Sequence, residues 1–294
     1  MIRGAIGLVA ILVLIGFAWE HEANAQFAPL ARGDGGGLPI EIFADDGIEW
    51  QQERSVVVAR GNARAIRGDV EVTADVLSAY YREAAATGDS EIWRVEADGN
   101  VKIITPSETA YAHKGIYDVD SGILVLRTGG KDTETVRVVG KNGDLTAREQ
   151  MEFWEEKQMF VARGGAQAVQ GDRKVSADVL VAYLDRTAEG EDRVERVEAF
   201  DDVVITTPAE TVRAERGVYR VDDGIAAMLG GVKITRGSNQ LNGCSAEVNL
   251  NTGISKLFGC PEGAQRGQVE GLILPGKESG NEGGVPLGGA GGSR

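Results

Sequence analysis

An internal repeat of about 103 residues constrains this 294-residue chain more than any other feature of its sequence. Residues 56–81 return at 159–184 with 15 of 26 positions identical, and residues 92–123 return at 194–225 with 17 of 32 identical. Repeats of fixed period stack neighbouring units around one continuous core. We therefore expect function to lie along a surface or groove that both copies share, and not in a single catalytic cleft.

The first 25 residues have the pattern of an export signal. Arg3 supplies a positive start, residues 5–18 form an apolar run of 14, and residues 23–25 are small before Gln26. The run is shorter than the stretch of about 20 residues that spans a membrane. We expect cleavage after Ala25 and an exported protein. The alternative is an uncleaved N-terminal anchor.

The charge of the chain argues against two classes of partner. The formal net charge is −14, and neither acidic nor basic residues form a concentrated patch. Nucleic acid and an anionic bilayer surface would both repel such a chain. The scattered charges are those of a solvated exterior.

Residues that could carry catalysis or hold a metal are scarce. His113 is the only histidine after residue 25, and Glu215 takes its place in the second copy, so a histidine triad or a histidine-based metal site is hard to assemble. We predict no catalytic residue, no metal and no cofactor. Three acids recur in both copies, as the pairs Asp75 and Asp178, Glu96 and Glu198, and Glu108 and Glu210. Structural work at strand ends and turns is the favoured interpretation, and a carboxylate-dependent enzyme acting on envelope glycans is the alternative.

Short segments that alternate with period two predict an all-β fold. Turn residues interrupt these segments every 6 to 13 residues, which is typical of successive hairpins. The strands could form one long rolled sheet or two sandwiches joined end to end. No linker separates the copies, so we favour a continuous structure. The predicted domains are a signal peptide (1–25), a linker (26–39), a first unit (40–142), a second unit (143–260) and a disordered Gly-rich tail (261–294).

The two cysteines are predicted to form a disulfide. A three-residue loop centred on Thr252 would place Cys244 directly opposite Cys260 on paired strands. Opposed strand positions are within reach of a disulfide, which an oxidising compartment favours. We expect such a bond to contribute about 3 kcal/mol and to lock the last hairpin. The alternative is a pair of reduced thiols.

Four segments follow one another as glycine-punctuated strands. They are the pattern I-x-I-x-A-D at 40–45, the run from A-R-G-N-A to G-D-V-E-V-T-A-D within 59–75, V-E-A-D-G-N-V-K-I at 95–103, and G-G-V-K-I-T-R-G-S-N-Q-L-N-G at 230–243. Together they resemble the LptA/OstA family of periplasmic bridge proteins in lipopolysaccharide transport. The resemblance covers residues 40–258. It rests on the succession of glycine-punctuated strands, since none of the motifs is specific alone. This chain departs from the family in its extra length, its cysteine pair and its Gly-rich tail.

The resemblance implies a fold, a ligand and partners. The implied fold is an open β-jellyroll of consecutive antiparallel strands, here built from two tandem copies. Its apolar interior would hold the acyl chains of lipid A while the sugars project outward. The implied partners are lipopolysaccharide, LptC and LptD, the two proteins binding by edge-strand pairing, and further copies of the chain joined head to tail. The implied location is the periplasm.

Alternate positions on the predicted strands are the candidates for lining this groove. We expect even-numbered positions after Val70 to share a face, with equivalent positions in the second copy. The same apolar face could instead be ordinary packed core. The candidates are Val72, Ala74, Val76, Tyr80, Val101, Ile103, Tyr117, Val175, Ala177, Val179, Tyr183, Val203, Ile205 and Tyr219.

The leading hypothesis is therefore a lipopolysaccharide-binding bridge protein that shields lipid A acyl chains between the inner and outer membranes. The alternative within the same fold is a membrane-tethered scaffold with a role like that of LptC. An open trough through both copies would favour conduction, and a filled sandwich would favour the scaffold.

Overall fold

The fold is seen in a computed structural model that describes residues 40–83, 90–130, 134–140, 143–186, 192–249, 252, 254–260 and 267–273. The predicted signal peptide, the predicted linker and most of the predicted tail lie outside these residues. The described part is all-β apart from one short 3-10 turn at Gln52–Arg54, as the alternating pattern predicted. No helix in the described ranges is long and apolar enough to cross a membrane.

The first copy contributes eight strands, of which the four from β3 to β6 are long because their alternating segments run on through a bend. In chain order the strands are β1 (Glu41–Phe43), β2 (Gly47–Gln51), β3 (Val56–Arg67), β4 (Val70–Glu83), β5 (Ser90–Ile104), β6 (Glu108–Asp118), β7 (Ile123–Arg127) and β8 (Val136–Gly140).

The second copy repeats this order and continues toward the C-terminus. Its strands are β9 (Gly143–Ala147), β10 (Gln150–Trp154), β11 (Met159–Gln170), β12 (Arg173–Arg186), β13 (Asp192–Thr206), β14 (Thr211–Arg220) and β15 (Ile225–Arg236). Three further strands follow them, β16 (Asn239–Asn249), β17 (Ile254–Phe258) and β18 (Glu270–Leu272).

One hydrogen-bonded sheet passes through both copies without a break. Every described pairing is antiparallel, and the long strands follow one another in sequence order. At the junction, β7 pairs with β10, and β8 pairs with β9, which in turn pairs with β11. Two separate sandwiches would have no such pairing, so the structure is a single jellyroll made of two tandem copies.

Each long strand bends at a β-bulge, which assigns its two halves to two layers of the roll. The first half of β3 pairs with β2 and its second half with β1, and β11 divides in the same way between β10 and β9. Glycine allows the bend at the β5 bulge, where Gly99 has a φ of +74°, because residues with a Cβ rarely adopt that conformation. The bends bring both halves of every strand to face one shared interior.

The bulges correct part of the sequence prediction. The strand pairing shifts between Thr73 and Val76, and the buried positions of β4 change from Val72 and Ala74 to Leu77 across this shift. Val76 now pairs with Arg60 and Asp98, both of which are exposed. The prediction that all even positions share the interior face is therefore wrong for four residues, which lie on the outer face: Val76, Tyr80, Val179 and Tyr183.

The C-terminal strands repeat the beginning of a unit. The first half of β16 pairs with β15 in the way that β9 pairs with β8, and its second half pairs with β15 in the way that β10 pairs with β7. β18 and β17 then pair with these two halves, as the two halves of β11 pair with β9 and β10. The region from β16 to β18 is thus a truncated third copy. Its sequence similarity to the first two is too low for the repeat to have shown it.

A disulfide joins Cys244 to Cys260 in this truncated copy, with a Cα–Cα distance of 4.9 Å. The predicted register is nevertheless off by one residue. Asn249 pairs with Ile254, so Cys244 would face Gly259, and Cys260 follows just beyond the last strand pair. The bond ties the bend of β16 to the segment that leads to β18.

Candidate functional site

The interior of the roll is lined by three rows of side chains, each crossing twelve strands. Cross-strand partners point to the same face of a sheet, so the register alone defines the rows. Interior row 1 comprises Val57, Ala79, Val95, Tyr117, Leu124, Phe153, Phe160, Ala182, Val197, Tyr219, Ala226 and Val248. Interior row 2 comprises Ala59, Leu77, Ala97, Gly115, Leu126, Met151, Ala162, Leu180, Ala199, Gly217, Met228 and Ala246.

Interior row 3 comes from the other layer of the roll, beyond the bulges. It comprises Ala65, Val72, Ile103, Ala110, Val138, Leu145, Ala168, Val175, Ile205, Val212, Ile234 and Leu241. Apart from two glycines and the hydroxyls of two tyrosines, the three rows carry only hydrocarbon and thioether groups. Eleven inter-strand steps of about 4.8 Å give this apolar interior a length of about 53 Å.

A cavity of about 310 Å³ occupies the interior of the first copy. Residues from β1 and from β3 to β7 line it, and the lining is almost entirely apolar. Ile40 and Ile42 bring the cavity to the first edge of the sheet, and Tyr117 and Leu124 lie at its inner end. The cavity is therefore suited to hydrocarbon and not to a polar ligand.

The structure brings ten of the fourteen predicted groove residues to the interior. Val72, Val101, Ile103 and Tyr117 line the cavity itself. The others are buried in the interior core without lining that cavity: Ala74, Val175, Ala177, Val203, Ile205 and Tyr219.

Sequence reasoning missed several residues that line the cavity, among them two of β4 that lie beyond its register shift. Leu77 and Ala79 take the interior positions that had been predicted for Val76 and Tyr80. Val57, Val95 and Leu124 were also missed. A turn-forming Gly-Asn pair inside an alternating run, as at Gly99, was the signal that could have revealed the change of face.

A tyrosine at the inner end of the cavity joins the two copies. The Tyr117 hydroxyl donates a hydrogen bond of 3.1 Å to the Glu155 carboxylate, which belongs to the turn between β10 and β11. The contact satisfies the one polar group that Tyr117 brings to an otherwise apolar wall. It also fixes the end of the first copy to the start of the second.

Glu108 and Glu210 occupy equivalent interior positions, two residues before Ala110 and Val212 in row 3. Burial raises the pKa of Glu108 to about 7. Burial also raises the pKa of Glu210, and the charge and hydrogen bond of Arg236 partly oppose that rise. The interior thus contains one buried carboxyl with an arginine partner and one that faces Gly140.

Three of the repeated acids, Asp75, Glu96 and Glu198, have structural partners on the outer face. Glu96 forms an ion pair with Arg94 at 2.7 Å, and Glu198 forms the equivalent pair with Arg196 at 3.0 Å. The Asp75 carboxylate accepts hydrogen bonds from the Asn100 amide at the bulge of β5. Within the described ranges, no three His, Cys, Asp or Glu residues are grouped so as to hold a metal ion.

Both ends of the sheet present exposed apolar side chains. At the first edge, Ile48 and Trp50 on β2 are 50% and 69% exposed. At the last edge, Ile254 and Phe258 on β17 and Leu272 on β18 are similarly exposed. Exposed apolar residues on edge strands are typical of surfaces that pair with another chain.

A comparison with protein families gives a match that covers most of the chain. The family described as LptA/(LptD N-terminal domain) LPS transport protein matches residues 41–142 and again residues 145–254. The two matches coincide with the two copies seen in the fold. A comparison with curated proteins gave no match.

Among solved structures, the chain is similar to LptH from Pseudomonas aeruginosa, described as the LptA homologous periplasmic component of the lipopolysaccharide transport device. The two sequences are 18% identical, and the alignment covers 45% of this chain and 94% of LptH, with a TM-score of 0.37.

Proposed function

This chain belongs to the LptA/(LptD N-terminal domain) family of lipopolysaccharide transport proteins, and we propose that it works in the periplasm as a lipopolysaccharide-binding bridge. In this role the interior shields acyl chains of lipid A while the molecule passes from the inner to the outer membrane. No covalent chemistry is required of the protein. The sugars and phosphates stay outside the roll.

The apolar cavity in the first copy is the observation that carries the proposal. Exposing a methylene group to water costs about 0.8 kcal/mol, so an acyl chain of about ten methylenes requires about 8 kcal/mol of shielding. A cavity of about 310 Å³ with an apolar lining supplies such shielding. Because the cavity extends to the first edge of the sheet, an acyl chain can enter it there without crossing a polar layer.

The two edges support assembly into a bridge. At the last edge, β17 and β18 have the same chain direction as the two halves of β11. At the first edge, β2 and β1 have the same chain direction as β10 and β9, which pair antiparallel with β11. The first edge of one molecule can therefore meet the last edge of another with both layers antiparallel. Strand addition of this kind satisfies the backbone groups of both edges. We propose head-to-tail copies, LptC and LptD as the partners that use these edges.

Lipopolysaccharide binding by the purified mature protein tests the proposal. We expect the wild-type protein to co-purify with added lipopolysaccharide. Val95→Asn, which places an amide in the cavity wall, should weaken binding about fivefold to a hundredfold, since a buried amide without a partner costs about 1–3 kcal/mol. Val76→Asn is the matched control, because Val76 is also half-buried but lies on the outer face. A folded wild-type protein that binds no lipopolysaccharide would exclude the function.

The N-terminal segment decides between a free bridge protein and a tethered scaffold like LptC. The apolar run at residues 5–18 is the observation that keeps the second role open. N-terminal sequencing of the exported protein distinguishes them. A free Gln26 end supports the bridge protein, and an intact Met1 end supports the tethered scaffold.

A further inference from the structure

The described cavity lies in the first copy. All residues that line the cavity come from the first copy, between Ile40 and Leu124. The lining draws on six strands, β1 and β3 to β7, which spread over about 24 Å at about 4.8 Å per step. The cavity ends where interior rows 1 and 2 cross from β7 to β10.

Three large side chains stand at that crossing. Phe153 pairs with Leu124, Met151 pairs with Leu126, and Phe160 pairs with Phe153 on the next strand. Met151 and Phe153 are almost fully buried, at 1% and 4% exposure, and Phe160 packs against the same core. We call these three residues the junction plug.

The equivalent positions of the first copy leave the interior open. Ile48 and Trp50 correspond to Met151 and Phe153, but they lie at the first edge and are mostly exposed. Val57 corresponds to Phe160 and lines the cavity. Replacing Val57 by the phenyl ring of the second copy would therefore fill space that the first copy leaves empty.

We propose that the first copy holds a single acyl chain in this cavity and that the junction plug, Met151, Phe153 and Phe160, ends the pocket. This inference rests on the proposed function and makes it more specific. The first copy then serves as the acyl-binding unit, and the junction plug separates its pocket from the interior of the second copy. Onward movement of lipid requires the plug to rearrange.

The volume supports a single chain. The cavity of about 310 Å³ extends past six strands, which cover about 24 Å. A space of that volume drawn out over that length is long and narrow. One hydrocarbon chain lying along it is the occupant that we propose, in place of the several chains that one lipid A molecule carries.

Reciprocal exchange of the equivalent residues tests the proposal. Binding of saturated fatty acids of about 10 to about 18 carbons, a series that begins near an acyl chain of about ten methylenes and extends beyond it, would be measured by calorimetry alongside lipopolysaccharide binding. Val57→Phe should lower the affinity for every fatty acid at least about tenfold. Phe160→Val should leave short chains unaffected and tighten the binding of the longest ones. Val76→Phe, the same change on the outer face of the first copy, is the control for Val57→Phe.

The outcomes separate the single-chain pocket from the lipopolysaccharide-binding function on which it rests. A folded wild-type protein that binds neither lipopolysaccharide nor fatty acid overturns both. Lipopolysaccharide binding with two or more fatty acids bound per protein, or with Val57→Phe behaving like Val76→Phe, overturns the single pocket and leaves the bridge function standing. If Val57→Phe fails to fold, the chain-length dependence of Phe160→Val decides, and an unchanged dependence contradicts the plug.

Discussion

Arg236 donates a hydrogen bond of 3.1 Å to the carboxylate of Glu210, whose side chain is only 1% exposed. In the first copy the equivalent acid, Glu108, lies opposite Gly140 instead of an arginine. The repeat has therefore kept the acid and varied its partner. The same interior position is a paired carboxylate in one copy and an acid without a facing arginine in the other.

Glu108→Gln is expected to change how stability depends on pH. Because burial raises the pKa of Glu108 from 4.5 to about 7, the folded protein favours the protonated acid. Its stabilising effect is complete below pH 4.5 and is lost as the pH rises through 7. The glutamine variant should match the wild type at pH 4 and exceed it by up to about 3 kcal/mol at pH 8. Urea unfolding at both pH values measures this, and an equal difference at both would contradict it.

The bulge of β5 in the first copy should be more sensitive to substitution than the equivalent bulge of β13 in the second copy. Gly99 has a φ of +74°, and a Cβ built there would meet the Asp75 carboxylate, so Gly99→Ala should cost about 1–3 kcal/mol. The equivalent Asp201 has a φ of +60°, so Asp201→Gly should stabilise by up to about 1 kcal/mol. Thermal unfolding of the two variants compares them. A stabilising Gly99→Ala would show that the bulge is not strained in this way.

Reduction of the Cys244–Cys260 disulfide is expected to destabilise the C-terminal strands. The bond closes a loop with a sequence separation of 16, for which the unfolded-chain entropy model gives about 3 kcal/mol. Unfolding with and without reductant measures the effect. The double variant Cys244→Ser with Cys260→Ser serves as the control, because reductant should no longer change its midpoint. An equal shift in both proteins would assign the effect to another cause.

Head-to-tail association should depend on the apolar side chains of the first edge. Ile48→Lys places a charge on an edge strand at a position 50% exposed, and it should weaken self-association at least about tenfold. Leu229→Lys is the matched control, since Leu229 is 46% exposed but lies within the sheet on β15. Sedimentation velocity over a range of concentrations gives the comparison. Equal weakening in both variants would argue against edge pairing.

Much of the architecture follows from the sequence alone, because strand periodicity and repetition are local properties. Alternation placed Val72, Ala74, Val101 and Ile103 on one face, and the structure buries all four there. The 103-residue repeat predicted two tandem units in one continuous roll, and the junction pairings confirm it. Turn signals around Gly99 were visible, but their effect on the later side chains was not.

Only the tertiary structure decided which residues face the interior after each bulge and whether that interior is empty. A bulge adds one residue to one strand of a pair, so its effect depends on the register with a neighbour distant in sequence. That is why Val76 and Tyr80 were assigned to the wrong face. Core and cavity likewise share one apolar pattern. The difference between Val57 and Phe160 acquires meaning only when packing shows which of them leaves space beside it.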